Sequence, residues 1–308
     1  MLPRNNLYSS GIAVLMLYVS VLSKCSSGIY HKETIPYRLR EPAQKYILED
    51  DLKEVSGLSF VPGHAQELAL IQDEAGTIFF YDLEKKQVTK KIVFGKKGDY
   101  EDVEIIGDTA FILRSDGRLT ELENFLKSPS EIRESNYSTG LSKENNTEGL
   151  CYDSADNALL VACKGKPGAD QKYKNKKAIY KFDLSSRTLS GEPFILIDLG
   201  EIKKQVYTKK QNIIENLVRF YTKQSKEIFE PSAISIQPFT KDIYIISSVG
   251  KLMVILDPEK KIKQVIKLNP VLFKQPEGIA FDEAGNLYIS NEGKKGKGNI
   301  TEFLYARK

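Results

Sequence analysis

The chain has 308 residues, with 45 Lys and Arg against 41 Asp and Glu, a formal net charge of +4, and 41% hydrophobic residues. That balance excludes a dedicated nucleic-acid binder, which carries a strongly basic surface, and so large an apolar fraction excludes a chain disordered throughout. Three cysteines and two histidines exclude a disulfide-built scaffold and a His-rich metal site.

The first predicted element is an export signal over residues 1–24. Arg4 supplies positive charge, and Gly11 to Leu22 (GIAVLMLYVSVL) is an apolar run too short to span a hydrocarbon core of about 30 Å. Leu22-Ser23-Lys24-Cys25 follows and resembles a bacterial lipobox, with Lys24 where that motif carries a small residue. The resemblance implies lipidation of Cys25, cleavage before it, and a protein exported and lipid-anchored to a bacterial envelope membrane. The alternative is a plain signal peptide or an uncleaved anchor. Residues 25–44, with Ser-Ser-Gly and two prolines, read as a tether, and 45–308 as the folded body.

That body is repetitive. Five segments open with a glutamate that leads into a short apolar strand: Glu54 (EVSGLSF), Glu101 (EDVEIIG), Glu148 (EGLCYD), Glu230 (EPSAISI) and Glu277 (EGIAFD), spaced by 47, 47, 82 and 47 residues. Each continues through a turn into a second strand (ELALI, AFILR, LLVAC, IYIIS, LYISN), a glycine break, and a third (TIFFYDL, RLTEL, AIYKFDL, KLMVILD, NITEFLY). A more polar fourth strand is visible as QVTKKIVF, PFILIDL and IKQVIKL. Four strands in a period near 45 residues describe a propeller blade, and such units bury both sheet faces only by closing into a ring. The fold class is therefore all-β, a five-bladed β-propeller. A sixth blade in the 82-residue interval is the alternative. The last unit has three strands, and Lys45 to Leu48 (KYIL) is expected to complete it and remove two edges.

Residues 200–226 interrupt the pattern. Ile202, Val206, Ile213, Ile214, Leu217, Val218 and Tyr221 recur at helical spacing without proline or internal glycine, which predicts a helical insertion between blades. Cys151 and Cys163 lie in neighbouring strands. If Asp153 pairs with Ala158, Cys151 faces Leu160 and Cys163 faces Glu148, which puts the sulfurs on opposite sheet faces as buried apolar groups. Six lysines between Lys164 and Lys177 read as a solvated loop or a patch for anionic lipid or glycan.

The E-V-S-G-L opening at Glu54, E-G-[LI]-x-[YF] at Glu148 and Glu277, and G-N-L-Y-I-x-N-E from Gly285 to Glu292 resemble the SdiA-regulated family of exported bacterial β-propellers, relatives of NHL-type propellers. The resemblance spans roughly Tyr46 to Phe303 and implies a propeller near the cell envelope, often membrane-anchored. It implies no defined activity.

First strands line a propeller channel, so the five glutamates are expected to converge at one channel mouth. Such a ring either recruits a hard cation of the Ca²⁺ type, with Asp73, Asn291 and Glu292 adding oxygens, or is neutralised internally by Arg114 and Lys164. The expected function is a membrane-anchored binding or scaffolding module for a protein, glycan or small-molecule ligand, with no nucleic-acid partner. The alternative is a metal-dependent lactonase or esterase resembling gluconolactonase propellers, in which Glu54, Asn291 and Glu292 imitate part of the metal set. His31 falls in the tether and His64 in a turn, so no Ser-His-Asp or Cys-His arrangement is available.

Overall fold

The computed structural model describes residues 35–208 and 228–306. The expected export signal, Cys25 and the first half of the tether, up to residue 34, lie outside the described residues, as do positions 209–226 of the helical insertion. Among the described residues no helix is long and apolar enough to cross a membrane.

Short β-rich runs punctuated by turns give five antiparallel sheets, each arranged as a blade. Blade 1 is β2 (Val55–Val61), β3 (His64–Gln72), β4 (Thr77–Asp82) and β5 (Gln87–Val93). Blade 2 is β6 (Tyr100–Ile106), β7 (Thr109–Arg114), β8 (Arg118–Glu123) and β9 (Arg133–Ser138). Blade 3 is β10 (Thr147–Asp153), β11 (Ala158–Cys163) and β12 (Lys176–Asp183), with its outer edge split between β13 (Thr188–Leu189) and β14 (Ile195–Asp198). Blade 4 is β15 (Ala233–Ile236), β16 (Ile243–Ser247), β17 (Leu252–Leu256) and β18 (Ile262–Lys267). Blade 5 is β19 (Pro276–Phe281), β20 (Leu287–Asn291) and β21 (Asn299–Phe303), completed by β1 (Gln44–Ile47).

The inner strands β2, β6, β10, β15 and β19 each pack beside the next, and β19 returns to β2. That cycle closes the ring at five. Because β10 lies directly against β15, no sixth blade stands between them. β1 pairs antiparallel with β21, Gln44 opposite Glu302 and Ile47 opposite Asn299, so the expected N-terminal closure forms. The packed body begins earlier than residue 45: Tyr37 and Leu39 are buried, and the Tyr37 hydroxyl donates to the Gly285 carbonyl at 2.7 Å.

Alternation along each strand feeds two seams. Leu68 and Leu70 of β3 pack with Tyr46 and Tyr288 in the seam between blades 5 and 1. Ala69 and Ile71 of the same strand face Val103 and Ile112 of blade 2. Leu159 and Val161 join Phe111 and Leu113 between blades 2 and 3, while Leu160 and Ala162 join Ile234 and Ile245 between blades 3 and 4. Rings of Tyr37, Tyr244 and Phe281 fill the seam between blades 4 and 5.

A polar contact crosses each seam as well. Ser290 Oγ donates to the Ser56 carbonyl at 2.8 Å. The Ile105 N–H donates to Ser59 Oγ at 3.1 Å, and the Leu150 N–H to Asp102 Oδ2 at 2.7 Å. Lys177 approaches Glu230 at 3.9 Å, and Ser232 Oγ donates to the Pro276 carbonyl at 2.9 Å.

The insertion starts as helix α1 (Leu199–Thr208). Asp198 Oδ1 accepts from the N–H groups of Gly200 and Glu201 and so caps it. Ile202 is fully buried against Ile195, Ile197 and Val265, which fastens the helix to the outer edge of the ring. Cys151 pairs with Leu160 as expected, whereas Cys163 pairs with Thr147 and not with Glu148, because a bulge at Glu148 shifts the register. Both thiols are free and buried, in different seams.

Candidate functional site

Three of the five repeat glutamates share one local geometry. Between Tyr100 and Asp102, between Thr147 and Gly149, and between Pro276 and Gly278 the ladder skips a residue, and the skipped residues are Glu101, Glu148 and Glu277. A bulge residue has no cross-strand partner and its side chain is re-aimed. The inner strands run in the same sense around the ring, so bulges at their starts put the three carboxylates at one end of the channel. Gly278 follows Glu277 because the neighbouring blade is close: a Cβ there would lie 2.4 Å from Leu58 Cδ2 and 2.5 Å from the Ser56 carbonyl.

Lys164 is the cation that all three carboxylates act on. Lys164, just beyond β11, lies 2.8 Å from Glu148 Oε1, and Asn146 Nδ2 donates to the same oxygen at 2.9 Å. Burial lowers the affinity of Lys164 for its proton, and Glu148, Glu277 and Glu101 more than reverse this, so its pKa ends above the ordinary lysine value. Lys164, with Lys251 acting more weakly on Glu277, does not balance three acids. Burial, reinforced by Glu148 and Asp99, pushes Glu101 up to about 9. Burial pushes Glu148 up to about 7 despite the opposing pull of Lys164. Glu277 is also raised by burial, against Lys164, Gln275 and Ser248. At neutral pH the cluster therefore retains carboxyl protons.

The other two repeat glutamates do not sit in bulges. Glu54 is exposed in the turn before β2. Glu230 precedes β15, its N–H donates to Ser247 Oγ at 2.9 Å, and its carboxylate faces Lys177. Glu292, at the end of β20, is pushed up to about 7 by burial and by Glu277, Asp73 and Glu54. Asp73 is likewise raised by burial and then by Glu54 and Glu74. Asn291 is fully buried, and neither polar atom of its side chain has a protein partner.

Among the described residues no group of three or more His, Cys, Asp or Glu side chains is placed to hold a metal ion. The positive charges acting on the buried members of the ring are Lys164 and, at Glu277, also Lys251. Arg114, the other candidate neutraliser, instead pairs with Asp116 at 3.5 Å.

Two further acids follow Glu101 on β6. Asp102 is 3% exposed, and its carboxylate accepts from the Val103 and Leu150 N–H groups. Burial raises its pKa well above the usual aspartate value. Ser59 Oγ donates to Glu104 at 3.3 Å, and burial pushes that group up to about 7. The sequence signal for both was the run Glu101-Asp102-Val103-Glu104-Ile105, which places three acids within a strand otherwise built for burial.

Similar architectures occur among solved structures. The Myxococcus xanthus glutaminyl cyclase superposes with a TM-score of 0.51 at 15% identity, covering 85% of this chain and 94% of that one. A luciferin-regenerating enzyme gives 0.47 at 11% identity, with 82% and 91% covered. A nidogen/laminin complex gives 0.48 at 13%, with 77% and 72% covered. At 15% identity the likeness to the glutaminyl cyclase is one of fold. No curated protein sequence matches the chain significantly. A family model matches residues 37–294, nearly the whole packed body, and its motif-bearing strands are those that form the ring: the chain belongs to the SdiA-regulated family.

Proposed function

We propose that the protein is an envelope-tethered binding module that offers the acidic end of its channel to a positively charged organic group. The carrying observation is the crowding of Glu101, Glu148 and Glu277 around Lys164, which pairs directly with Glu148, while Lys251 adds a weaker opposing charge at Glu277. Carboxyls held protonated because too few cations surround them gain favourable charge when another cation arrives, so such a mouth selects basic groups and releases protons as it binds them. In this reading Cys25 carries the lipid anchor and the segment up to Tyr37 is the tether.

Spermidine serves as the probe. Calorimetric titration of the full chain in two buffers of different ionisation enthalpy is expected to show salt-sensitive binding with proton release. Glu148→Gln is expected to weaken it by about tenfold, in line with the loss of one charge-assisted contact. Salt-insensitive binding that ignores Glu148→Gln and Glu277→Gln would refute the assignment. A mass spectrum of the processed N-terminus tests the anchor separately, and an unmodified Cys25 removes it.

A further inference from the structure

A cavity of about 140 Å³ lies on the side of blade 5, bounded by β1, by the loop leading into β19, and by the β20–β21 hairpin. Its lining separates into three chemistries. Lys45, Lys274 and Lys297 supply ammonium groups. Lys297 sits 3.6 Å from the exposed Asp50, while among the described residues Lys45 and Lys274 have no carboxylate within ion-pair distance. Ile47, Val271 and Leu272 supply an apolar wall. Ile47 is 54% and Val271 78% exposed, unusual for large aliphatic side chains. Glu292 and Asn299 supply acceptors.

Asn299 is the telling residue. It is 8% exposed and lines the cavity, and its buried Oδ1 has no hydrogen-bond partner. Asn291, its register partner across β20 and β21, is buried with both side-chain polar atoms unpartnered. Buried amides are nearly always satisfied, and each one left unmade costs about 1–3 kcal/mol. Asn299 lines the cavity, so a donor that fills it would satisfy this acceptor once the amide turns toward it.

We propose that this cavity is a binding site for a small apolar α-amino acid. The ammonium of the ligand donates to Asn299 Oδ1 and faces Glu292. Its carboxylate is held by Lys45 and Lys274, and its side chain lies along Ile47, Val271 and Leu272. The size agrees, since a cavity of roughly 150 Å³ holds a molecule as large as benzene. The site adjoins the Glu148 cluster, since Glu292 feels the charge of Glu277, but its ligand contacts use none of Glu101, Glu148 and Glu277, and it does not depend on the reading given for them.

L-valine is the first probe, with isovalerate and isobutylamine as analogues lacking the ammonium or the carboxylate. Titration of the full chain is expected to give millimolar or tighter binding of L-valine. Each analogue is expected to bind at least about tenfold more weakly, because a site built for hydrogen bonds rejects a ligand that leaves them unmade. Lys274→Glu and Val271→Asp alter solvent-facing side chains, so both variants should melt as the parent does while losing about tenfold in affinity. No L-valine binding up to about 10 mM, beyond the weakest millimolar affinities, overturns the proposal. So does equal binding of either analogue, or unchanged affinity in either variant.

Discussion

The Lys164 ammonium lies 2.8 Å from Glu148 Oε1, with the two side chains 25% and 8% exposed. It is also the main opposing charge for Glu277. Replacing it with the nearly isosteric methionine leaves buried carboxylates uncompensated. Lys164→Met is expected to lower stability at neutral pH by about 2 kcal/mol, below the usual cost of breaking a fully buried pair because water reaches the lysine. Chemical denaturation of the two proteins measures it, and a difference under half that size removes Lys164 from its central place.

Protonation gives the pH dependence its sign. Glu101, Glu148 and Glu292 have folded-state values near 9, 7 and 7 against an ordinary 4.5, so between those limits the folded chain binds more protons than the unfolded one. The contribution of these groups to stability is greatest below about pH 4.5 and is lost as pH rises through the folded values. Melting temperature is expected to fall between pH 5 and pH 9, and Glu101→Gln should flatten that slope. A melting temperature that climbs across the interval contradicts the protonated cluster.

Calcium provides an independent check on the same geometry. With no group of three suitable ligands among the described residues, millimolar Ca²⁺ is expected to leave the melting temperature unchanged, both in the parent and in Glu54→Gln. A stabilisation abolished by Glu54→Gln would show that the ring gathers around a divalent ion after all.

Gly57 tests the tightness of the ring. A Cβ at this position would sit 2.0 Å from Asp102 Oδ1 and 2.5 Å from the Asp102 Cα, so neither a rotamer change nor a small side-chain shift makes room. Gly57→Ala is expected to cost about 3 kcal/mol, the upper end for overpacking a closed core. Gly63→Ala serves as the control, because no heavy atom lies within 4 Å of its added Cβ, although its φ of +79° carries a strain of its own. Equal denaturation midpoints for parent and Gly57→Ala would mean the inner strands are more loosely packed than described.

The start of the folded body can be probed by truncation. A chain beginning at Tyr37 keeps the hydrogen bond to Gly285 and the strand β1. A chain beginning at Leu48 lacks both and bares β21 as an unpaired edge, a template for aggregation. Size-exclusion chromatography should show a monodisperse species for the first and aggregates for the second. Two equally monodisperse chains would show that ring closure contributes little.

The ring was legible in the sequence because its signals are local: glutamate-led strands of period-two apolar residues, each followed by a turn and a glycine, recurring at 47 residues. β9 (RESNYS) was not, because it lies on an outer edge, is mostly exposed, and carries no apolar alternation to betray it. The glutamates announced a site, yet spacing alone does not distinguish Glu148, which sits in a bulge beside Lys164, from Glu54, which stops one residue short of its strand. The bulges also displaced the expected partner of Cys163 by one position. Tyr37 was read as tether because a lone aromatic between proline and arginine has no periodicity. Only the tertiary pocket formed by Gly285, Tyr244, Phe281 and Tyr305 gives it a place.

Sharing one sheet between β1 and β21 has a consequence for how the molecule comes into being. The Tyr46 hydroxyl and the Glu302 carboxylate that it contacts are 256 positions apart, so the final seam is sealed only once the last strand has left the ribosome or crossed the translocation channel. Until then four blades and an unfinished fifth expose raw flanks, and contacts of such long sequence range form slowly. Escorting that open crescent is therefore a demand placed on the cell by the topology itself.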